Sequence, residues 1–335
     1  MRRFRVPKIV CCVILLLFYS SCQHQQNSNQ KDIYPFGWNR TGLSQETIAA
    51  SIPPIKISTI EHLQKIGNDP DYPLNGYYIL TNDIDGSATH QWNHGAGFDP
   101  IGKQNDEMHW NGFSGWFDGR GHTIQNLTVK RPEKDGVGLF ANLTYTAIVI
   151  NVVIENGYFH GKNYVGSLVG QNSSNALATC YSSGLVKGLS RVGGLAGINR
   201  GVIEACYSTA SVTGDNYVGG LVGRNWNGII AESYVSGTVS GRNNFVTGGL
   251  VGENASAVVR NSFWATDLKG QETSAGGIGL DSSKMKAMLI SKNNQLPEYS
   301  FENKEDYFAH MFSKQRGKKK RNIDLSRVFR VISDE

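Results

Sequence analysis

The chain has 335 residues, of which 18% are charged and 39 are glycine, and its formal net charge is +5. Residues 1–21 contain four basic residues and no acids, so the net charge without them is +1. In residues 23–280 the 20 acidic side chains outnumber the 17 basic ones, which argues against a basic face for nucleic acid. Low charge with abundant small polar residues is typical of extracytoplasmic β proteins, and the length permits one elongated domain.

The first 21 residues are predicted to be a signal peptide. A basic stretch (residues 2–8) precedes an apolar stretch (residues 9–19) that is too short to span a bilayer comfortably. Two serines then precede Cys22, and this order resembles a bacterial lipoprotein signal, although Tyr19 stands where that pattern prefers leucine. We expect Cys22 to be lipidated and to anchor the chain to a membrane of the bacterial cell envelope, the outer membrane or the cell surface. An ordinary secretory signal with an incidental cysteine is the alternative.

Residues 22–54 are polar and rich in glutamine, and they are predicted to form a flexible tether. Residues 55–112 are predicted to form an N-terminal cap. Ser58 and Glu61 have the spacing of a capping box, and Gly67 would end the short helix that follows. Such a helix would cover the open end of a stack of strands.

One line of sequence recurs through residues 113–270. Its central leucines are Leu139, Leu168, Leu195, Leu221 and Leu250, so the steps are 29, 27, 26 and 29 residues. A second line follows each of the last four leucines, in the pairs Cys180-Tyr181, Cys206-Tyr207, Ser233-Tyr234 and Ser262-Phe263. Periods of this length indicate a solenoid, a propeller or an array.

Each repeat unit contains short apolar runs separated by turn-forming residues, which favours short strands over helices. One unit cannot bury its own apolar face, but stacked units can, because each strand then pairs with its copy above and below. We therefore predict an all-β fold, a right-handed parallel β-solenoid of about six coils with short capping helices. A β-propeller is the alternative, but its blades need about 40 residues.

Stacking would place equivalent residues of successive units in columns. The predicted columns are the leucines Leu168, Leu195, Leu221 and Leu250, the asparagines Asn172, Asn199, Asn225 and Asn254, and the cysteines Cys180 and Cys206. The paired glycines beside the leucines are expected to supply positive φ and close backbone approach at corners. The asparagines are expected to tolerate left-handed turns or to bond to neighbouring backbone.

Two of these columns allow more than one interpretation. Cys180 and Cys206 would lie one coil apart, either as small buried fillers or as a disulfide. The aromatic column could be a cross-strand ladder or a sugar-stacking face; its members are Tyr181, Tyr207, Tyr234 and Phe263. We favour fillers for the cysteines and a ladder for the aromatics. The tryptophans Trp92, Trp110, Trp116 and Trp226 are candidates for exposed aromatic side chains.

The amino-acid sequence of these repeats resembles the GLUG repeat of bacterial surface proteins. The segment Ile203–Gly214 carries the second half of the pattern, and the resemblance extends from about residue 55 to about residue 290. GLUG repeats occur in adhesin-like proteins and in the non-catalytic part of immunoglobulin A-specific metallopeptidases. The resemblance therefore implies a surface repeat protein but no particular activity.

The resemblance still covers residues 274–288, and the chain departs from it only after this segment. Residues 271–300 are predicted to form a C-terminal cap with a short helix that carries Met285 and Met288 on one side. Residues 301–335 form a polar tail with the basic run Arg316–Arg321. Such a run is usually solvated, and contact with anionic lipid or polysaccharide is the alternative.

No residue pattern of a known catalytic site is present. A zinc peptidase needs HExxH, and none of the eight histidines begins it. The carboxylates that could serve a β-solenoid lyase or hydrolase, or a Ca²⁺ site, are Asp83, Asp85, Asp99 and Asp118, with His122 beside them. We interpret them as turn-capping residues. Glu204, Glu232 and Glu253 fall in variable positions of the repeats and are expected to be scattered.

The resemblance to GLUG surface proteins, together with the lipoprotein-like signal, implies a non-enzymatic lipoprotein of the cell envelope that serves as an adhesion or ligand-binding module. The expected partners are the bacterial membrane, through the lipid anchor, and a glycan or a host or matrix protein. No cofactor, metal site or nucleic-acid partner is predicted. A carbohydrate-active β-solenoid enzyme and a purely structural spacer are the alternatives.

Overall fold

A computed structural model describes residues 53–103, 111–174, 176–242, 246–268 and 272–285. The predicted signal peptide, Cys22, nearly all of the tether and the basic tail lie outside these residues, as do Trp110 and Met288.

The described residues form short strands with few helices. The strands are β1 (Ile55–Ile57), β2 (Tyr77–Leu80), β3 (Ile84–Asp85), β4 (Trp116–Asp118), β5 (Thr123–Gln125), β6 (Thr128–Lys130), β7 (Phe140–Leu143), β8 (Ile148–Ile150), β9 (Val153–His160), β10 (Asn163–Val165), β11 (Val169–Asn172), β12 (Ala176–Ala178), β13 (Tyr181–Lys187), β14 (Ser190–Gly193), β15 (Ala196–Asn199), β16 (Val202–Glu204), β17 (Tyr207–Ser208), β18 (Ser211–Gly214), β19 (Asn216–Gly219), β20 (Val222–Trp226), β21 (Ile229–Ala231), β22 (Tyr234–Val235), β23 (Val239–Gly241), β24 (Thr247–Gly248), β25 (Val251–Ala255), β26 (Val258–Arg260), β27 (Phe263–Ala265) and β28 (Ile278–Leu280). The helical segments are α1 (Ile60–Lys65), a 3-10 helix (Ser87–Gln91) and residues 282–285. Residues 92–95 form a tight turn in which Asn93 and His94 have left-handed φ and ψ.

Strands of successive coils lie one above another and pair in parallel. One sheet has eight strands in the order β1-β2-β4-β8-β12-β16-β21-β26, and others run β7-β11-β15-β20-β25 and β10-β14-β19-β24. The pairing keeps equivalent residues together, as where Ile203 of β16 faces Ile230 of β21. Eight strands in one column correspond to about seven turns. The predicted parallel β-solenoid is confirmed.

The parallel stack begins within the segment that the sequence predicts to be a cap. Strands β1 and β2 pair in parallel with each other, and β2 pairs with β4. The predicted short helix is also present there as α1, and Ile60 and Leu63 on it are buried. Its N-cap is Thr59, whose hydroxyl accepts a hydrogen bond from the backbone N–H of His62, so the predicted cap at Ser58 is wrong by one residue. The Ser58 hydroxyl instead lies 3.3 Å from Nδ1 of His62.

The leucines of the repeat lie in the centre of the solenoid. Leu168, Leu195, Leu221 and Leu250 all have no exposed surface. Their backbones are joined directly, because the N–H of Leu195 donates to the carbonyl of Leu221 and that of Leu221 to Leu250, each over 2.9 Å. Burying such a column on successive coils gives the stack its apolar core.

The paired glycines serve close approach and not positive φ. A Cβ at Gly194 would collide with the carbonyl oxygen of Gly220 on the next coil and with the Ser208 hydroxyl. The left-handed positions of these corners belong instead to Tyr164, Arg191 and Tyr217, with φ of 56°, 57° and 54°. The expected positive φ at the paired glycines is therefore wrong. The tight stacking of coils at this corner leaves no room for a side chain at Gly194.

Candidate functional site

The asparagine column forms a ladder of side-chain amides. Nδ2 of Asn172 donates to Oδ1 of Asn199 over 2.8 Å. In the same way Asn199 donates to Asn225, and Asn225 donates to Asn254, each over 2.8 Å. The side-chain oxygen also accepts a hydrogen bond from the backbone two residues later in the same coil. For example, the N–H of Gly201 donates to Oδ1 of Asn199. None of the four has positive φ, so the expected left-handed turn is wrong and the expected backbone bonding is confirmed.

The cysteine column is a row of small buried fillers. Cys180 and Cys206 are both free and fully buried, so the disulfide alternative is wrong. The sulfur of Cys206 faces the backbone N–H of Cys180 at 3.4 Å, and the hydroxyls of Ser233 and Ser262 take the same position one and two coils on. Burial, and then the neighbouring Cys206, raise the pKa of the Cys180 thiol well above its usual range. A thiol held neutral in this way is a poor nucleophile.

The aromatic column is a ladder of rings along the stack. The ring centroids of Tyr181 and Tyr207 are 4.4 Å apart, and those of Tyr207 and Tyr234 are 4.9 Å apart. Phe263 pairs with Tyr234 in the same register. Burial is the main cause that raises the pKa of the Tyr207 hydroxyl well above its usual value. The rings therefore stack mainly on one another, as the ladder interpretation predicts.

Asp118 and Asp85 are bound within turns. Oδ1 of Asp118 accepts from the N–H of Arg120 over 2.8 Å and from Nδ2 of Asn151 over 3.0 Å. Burial raises the pKa of Asp118 even though these bonds oppose the shift. Asp85 accepts from the N–H and the hydroxyl of Ser87, and these bonds lower its pKa. Both carboxylates act as the turn caps that the sequence predicts.

Asp83 and Asp99 are held by other partners, so the turn-capping interpretation is wrong for these two. Oδ1 of Asp83 accepts from the N–H of Thr123 over 3.1 Å and lies 3.1 Å from Nδ1 of His122. Asp99 forms ion pairs with Arg131, at 3.3 Å, and with Lys103. Within the described part of the chain, no group of three or more His, Cys, Asp or Glu side chains is arranged to hold a metal ion.

Two glutamates of successive coils, Glu204 and Glu232, influence each other's charge. Glu204 ends β16, and Glu232 follows β21 on the next coil. Burial raises the pKa of Glu204 to about 7, and the negative charge of Glu232 contributes to the shift. The two carboxylates therefore lie on different coils, but their charges interact. Glu253, by contrast, pairs with Arg224.

The outer surface of the solenoid carries a set of arginines interleaved with aromatic rings. We call it the arginine–aromatic face, and it consists of Tyr164, Arg191, Arg200, Tyr217, Arg224 and Trp226. Trp226 is 39% exposed, and the guanidinium carbons of Arg200 and Arg224 lie 5.0 and 4.8 Å from its ring. Arg191 lies 5.0 Å from the ring of Tyr164 and 5.4 Å from that of Tyr217.

Sequence reasoning found only Trp226 of this face. Trp92 and Trp116 are elsewhere: Trp92 packs against the core, and the Trp116 ring lies 5.1 Å from Tyr77. Tyr164, Arg191 and Tyr217 share one position of the repeat, because each directly precedes one of the paired valines Val165, Val192 and Val218. This shared position was the available signal for these three residues. Aromatic and basic residues alternate there.

The fold and its ladders define a repeat protein of the parallel β-solenoid class. Two consecutive segments, residues 188–213 and 214–240, match the family model described as the GLUG motif. Over 146 residues the chain is 42% identical to Halomucin from Haloquadratum walsbyi, and this stretch covers 43% of the chain but 2% of Halomucin. The resemblance to GLUG repeats is confirmed.

A solved structure shares the fold. It is a crystal structure of a protein from Bacteroides ovatus whose provisional description is immunoglobulin A1 protease. The similarity covers 72% of this chain and 88% of that one, with a TM-score of 0.54 and 20% sequence identity. At this identity the likeness concerns the fold alone. No helix among the described residues is long and apolar enough to cross a membrane.

Proposed function

We propose that the chain is a non-enzymatic binding module of the bacterial cell envelope, anchored through a lipidated Cys22 and displaying its solenoid for adhesion. The GLUG repeats and the similarity to Halomucin support a place at the cell surface. The signal-like segment before Cys22 supports the anchor. Acylation of a lipoprotein supplies more than one chain, as stable anchoring requires.

One observation carries the binding role: the outer surface holds ordered aromatic and basic side chains on successive coils. Trp226 is partly exposed between two arginines. A spacer needs no such arrangement, since short polar side chains would suffice to keep it soluble. Binding through rings and polar groups on a rigid scaffold needs no acid–base pair.

The enzyme alternative has less support from the candidate carboxylates. Asp83, Asp85, Asp99 and Asp118 are each held by local hydrogen bonds or ion pairs. A glycosidase needs one carboxyl group that can donate a proton and a second that can act as base or nucleophile. The pKa of Asp85 is lowered and that of Asp118 is raised. Each carboxylate, however, accepts a hydrogen bond from the backbone two residues on and caps its own turn.

The binding role is tested with the purified full chain and a panel of immobilised glycans and matrix proteins. Saturable binding to at least one member, lost on heat denaturation, is the expected result. A chain that binds no member while it remains folded and surface-exposed on cells would support the spacer instead. Fluorescent antibody labelling of intact cells checks the exposure independently of any ligand.

A further inference from the structure

We propose that the arginine–aromatic face is a binding site for an acidic polysaccharide, whose carboxylate or sulfate groups pair with Arg191, Arg200 and Arg224. This inference rests on the proposed binding function and names its ligand class.

The backbone register gathers the face from three neighbouring coils. Val165, Val192 and Val218 stand in one column, so the residues before them do too. On the next strand Asn199 pairs with Asn225, which places Arg200 level with Trp226. The face is thus fixed by the same parallel ladders that build the core, and side chains on adjacent coils are about 4.8 Å apart.

The arginines are held in position by the rings. Arg191 lies between Tyr164 and Tyr217, and Arg224 lies 5.5 Å from the Tyr217 ring as well as 4.8 Å from Trp226. Each contact has cation–π geometry. Long side chains that are already ordered lose less conformational freedom when a ligand binds. The face is therefore preorganised.

Positive charge on the face exceeds negative charge. The guanidinium of Arg224 pairs with the carboxylate of Glu253, whereas those of Arg191 and Arg200 form no ion pair with a carboxylate among the described residues. Burial lowers the pKa of Arg200, and the positive charges of Arg191 and Arg224 lower it further. The three cations repel one another, and a bound anion would relieve that repulsion.

The Nε atoms of Arg191 and Arg224 are buried, so the donors that these two residues can offer a ligand are on their terminal NH2 groups. Among the described residues, Arg191 donates to Ser190 over 3.4 Å, Arg200 donates to Gln171 over 3.2 Å, and Arg224 pairs with Glu253. A guanidinium carries five N–H donors in a planar fork that matches carboxylate and sulfate oxygens. The remaining N–H groups can bind such oxygens, while the Trp226 ring offers an apolar surface to a sugar ring.

The arrangement fits a polymer better than a single small anion. The cations recur along the axis of the solenoid, at Arg191 and Arg200 on one coil and at Arg224 on the next. A chain with regularly repeated charges can engage several of them at once, and linked contacts strengthen one another.

The test measures binding of the purified full chain to immobilised hyaluronate, which carries carboxylates, to dextran sulfate, and to neutral dextran. We expect binding to one or both acidic polymers, weakening as NaCl is raised, and little binding to neutral dextran. Equal binding to neutral dextran, or tighter binding to single-stranded DNA than to either acidic polysaccharide, would overturn the inference.

The variant that removes the face is Arg191→Gln/Arg200→Gln/Arg224→Gln. Its expected effect is a loss of affinity for the acidic polymer of about tenfold or more. The matched control, Lys56→Gln/Lys130→Gln/Arg260→Gln, removes the same charge from exposed positions elsewhere and should change affinity by less than about threefold. If both variants lose affinity equally, the charge of the whole chain and not this face binds the polymer, and the inference fails.

Two further variants keep the test decisive if the triple variant unfolds. Arg200→Gln alone changes an exposed side chain and should still weaken binding by about threefold. Trp226→Ala should weaken it as well, while Tyr145→Ala, which removes a ring that is 65% exposed elsewhere, should not. Full affinity in both face variants would contradict the inference. Binding to another ligand of the panel in that case would leave the proposed function standing.

Discussion

Asn199 donates its side-chain N–H to Oδ1 of Asn225 over 2.8 Å, and accepts at its own oxygen from Asn172 over 2.8 Å. All three amides are fully buried. An amide inside the core costs free energy unless both its donors and its acceptor find partners. Each coil therefore supplies the partner that the next one needs. A one-residue slip would break this match and would also turn the leucines outward.

We predict that Asn199→Leu destabilises the fold by about 2–5 kcal/mol, because Nδ2 of Asn172 and Oδ1 of Asn225 would be left buried without partners. The measurement is urea denaturation followed by circular dichroism. Asn254→Leu is the matched control, since Asn254 ends the ladder and is only partly buried, so its replacement should cost less. Equal losses in the two variants would show that the ladder is not what stabilises the stack.

The leucine column should behave as core. Leu221→Ala is expected to cost about 2–5 kcal/mol, since it removes a completely buried side chain and leaves a cavity. The exposed Leu189, which is 45% accessible, provides the control substitution Leu189→Ala. A loss below about 0.5 kcal/mol at Leu221 would mean that this column is not part of the core.

Glu204 should make stability depend on pH. Its pKa is raised from 4.5 to about 7 in the folded chain. The protonated Glu204 side chain thus contributes fully to the stability of the folded state below about pH 4.5. This contribution is lost as the pH rises through about 7 and the carboxyl group ionises. Glu204→Gln should therefore unfold at a higher temperature than the wild type at pH 8, and the advantage should shrink towards pH 4.

The size of this effect is modest, because the side chain is only partly buried. After allowance for solvent screening, we expect about 1–2 kcal/mol at pH 8. The exposed Glu133 gives the control Glu133→Gln, which should change little at either pH. Thermal melting across pH 4 to 8 makes the comparison. A constant offset between wild type and Glu204→Gln at every pH would rule out the titration of this carboxyl group.

Lipidation of Cys22 predicts a change in cell fractionation. Cys22→Ser should leave the signal peptide uncleaved or release the protein from the membrane fraction, and it should abolish labelling by palmitate. Cys12→Ser, which alters a cysteine inside the apolar stretch, is the control and should leave labelling intact. Equal labelling of Cys22→Ser and wild type would end the lipoprotein proposal.

Absence of catalysis is the last prediction. The full chain should cleave neither immunoglobulin A nor a panel of acidic and neutral polysaccharides, with or without Ca²⁺. The measurement is product release seen by gel electrophoresis and by reducing-end assay. Cleavage that Asp83→Asn or Asp118→Asn abolishes, while the circular dichroism spectrum is unchanged, would replace the binding module by an enzyme.

The columns of stacked side chains could be predicted because equivalent residues recur in every repeat unit. Leu221 and Asn225 recur at a constant offset in each unit, and parallel stacking turns equal offsets into vertical columns. The filler role of Cys206 followed from the serine that replaces it at position 233. Periodicity therefore sufficed for the fold and for the inward-facing side chains.

The outer face and the corners could not be predicted in the same way. Tyr164 and Arg191 occupy the same register position but differ in residue type. The sequence therefore shows no recurring residue that would reveal the arginine–aromatic face. Glu204 and Glu232 occupy different positions of their units, so the repeat does not indicate that their charges interact. The conformation of the paired glycines such as Gly194 depends on how closely the next coil approaches, which sequence spacing does not encode.

The steps between the repeat leucines are not all equal, yet the strands stay in register. The step from Leu221 to Leu250 is three residues longer than the one before it, but Val218 still pairs with Thr247 and Val222 with Val251. The extra residues are therefore absorbed outside the ladders. Gene duplication can add or remove a whole coil without disturbing its neighbours, since each coil contacts mainly the next. The length of such a solenoid along its axis could then change during evolution in increments of about 4.8 Å, one coil at a time.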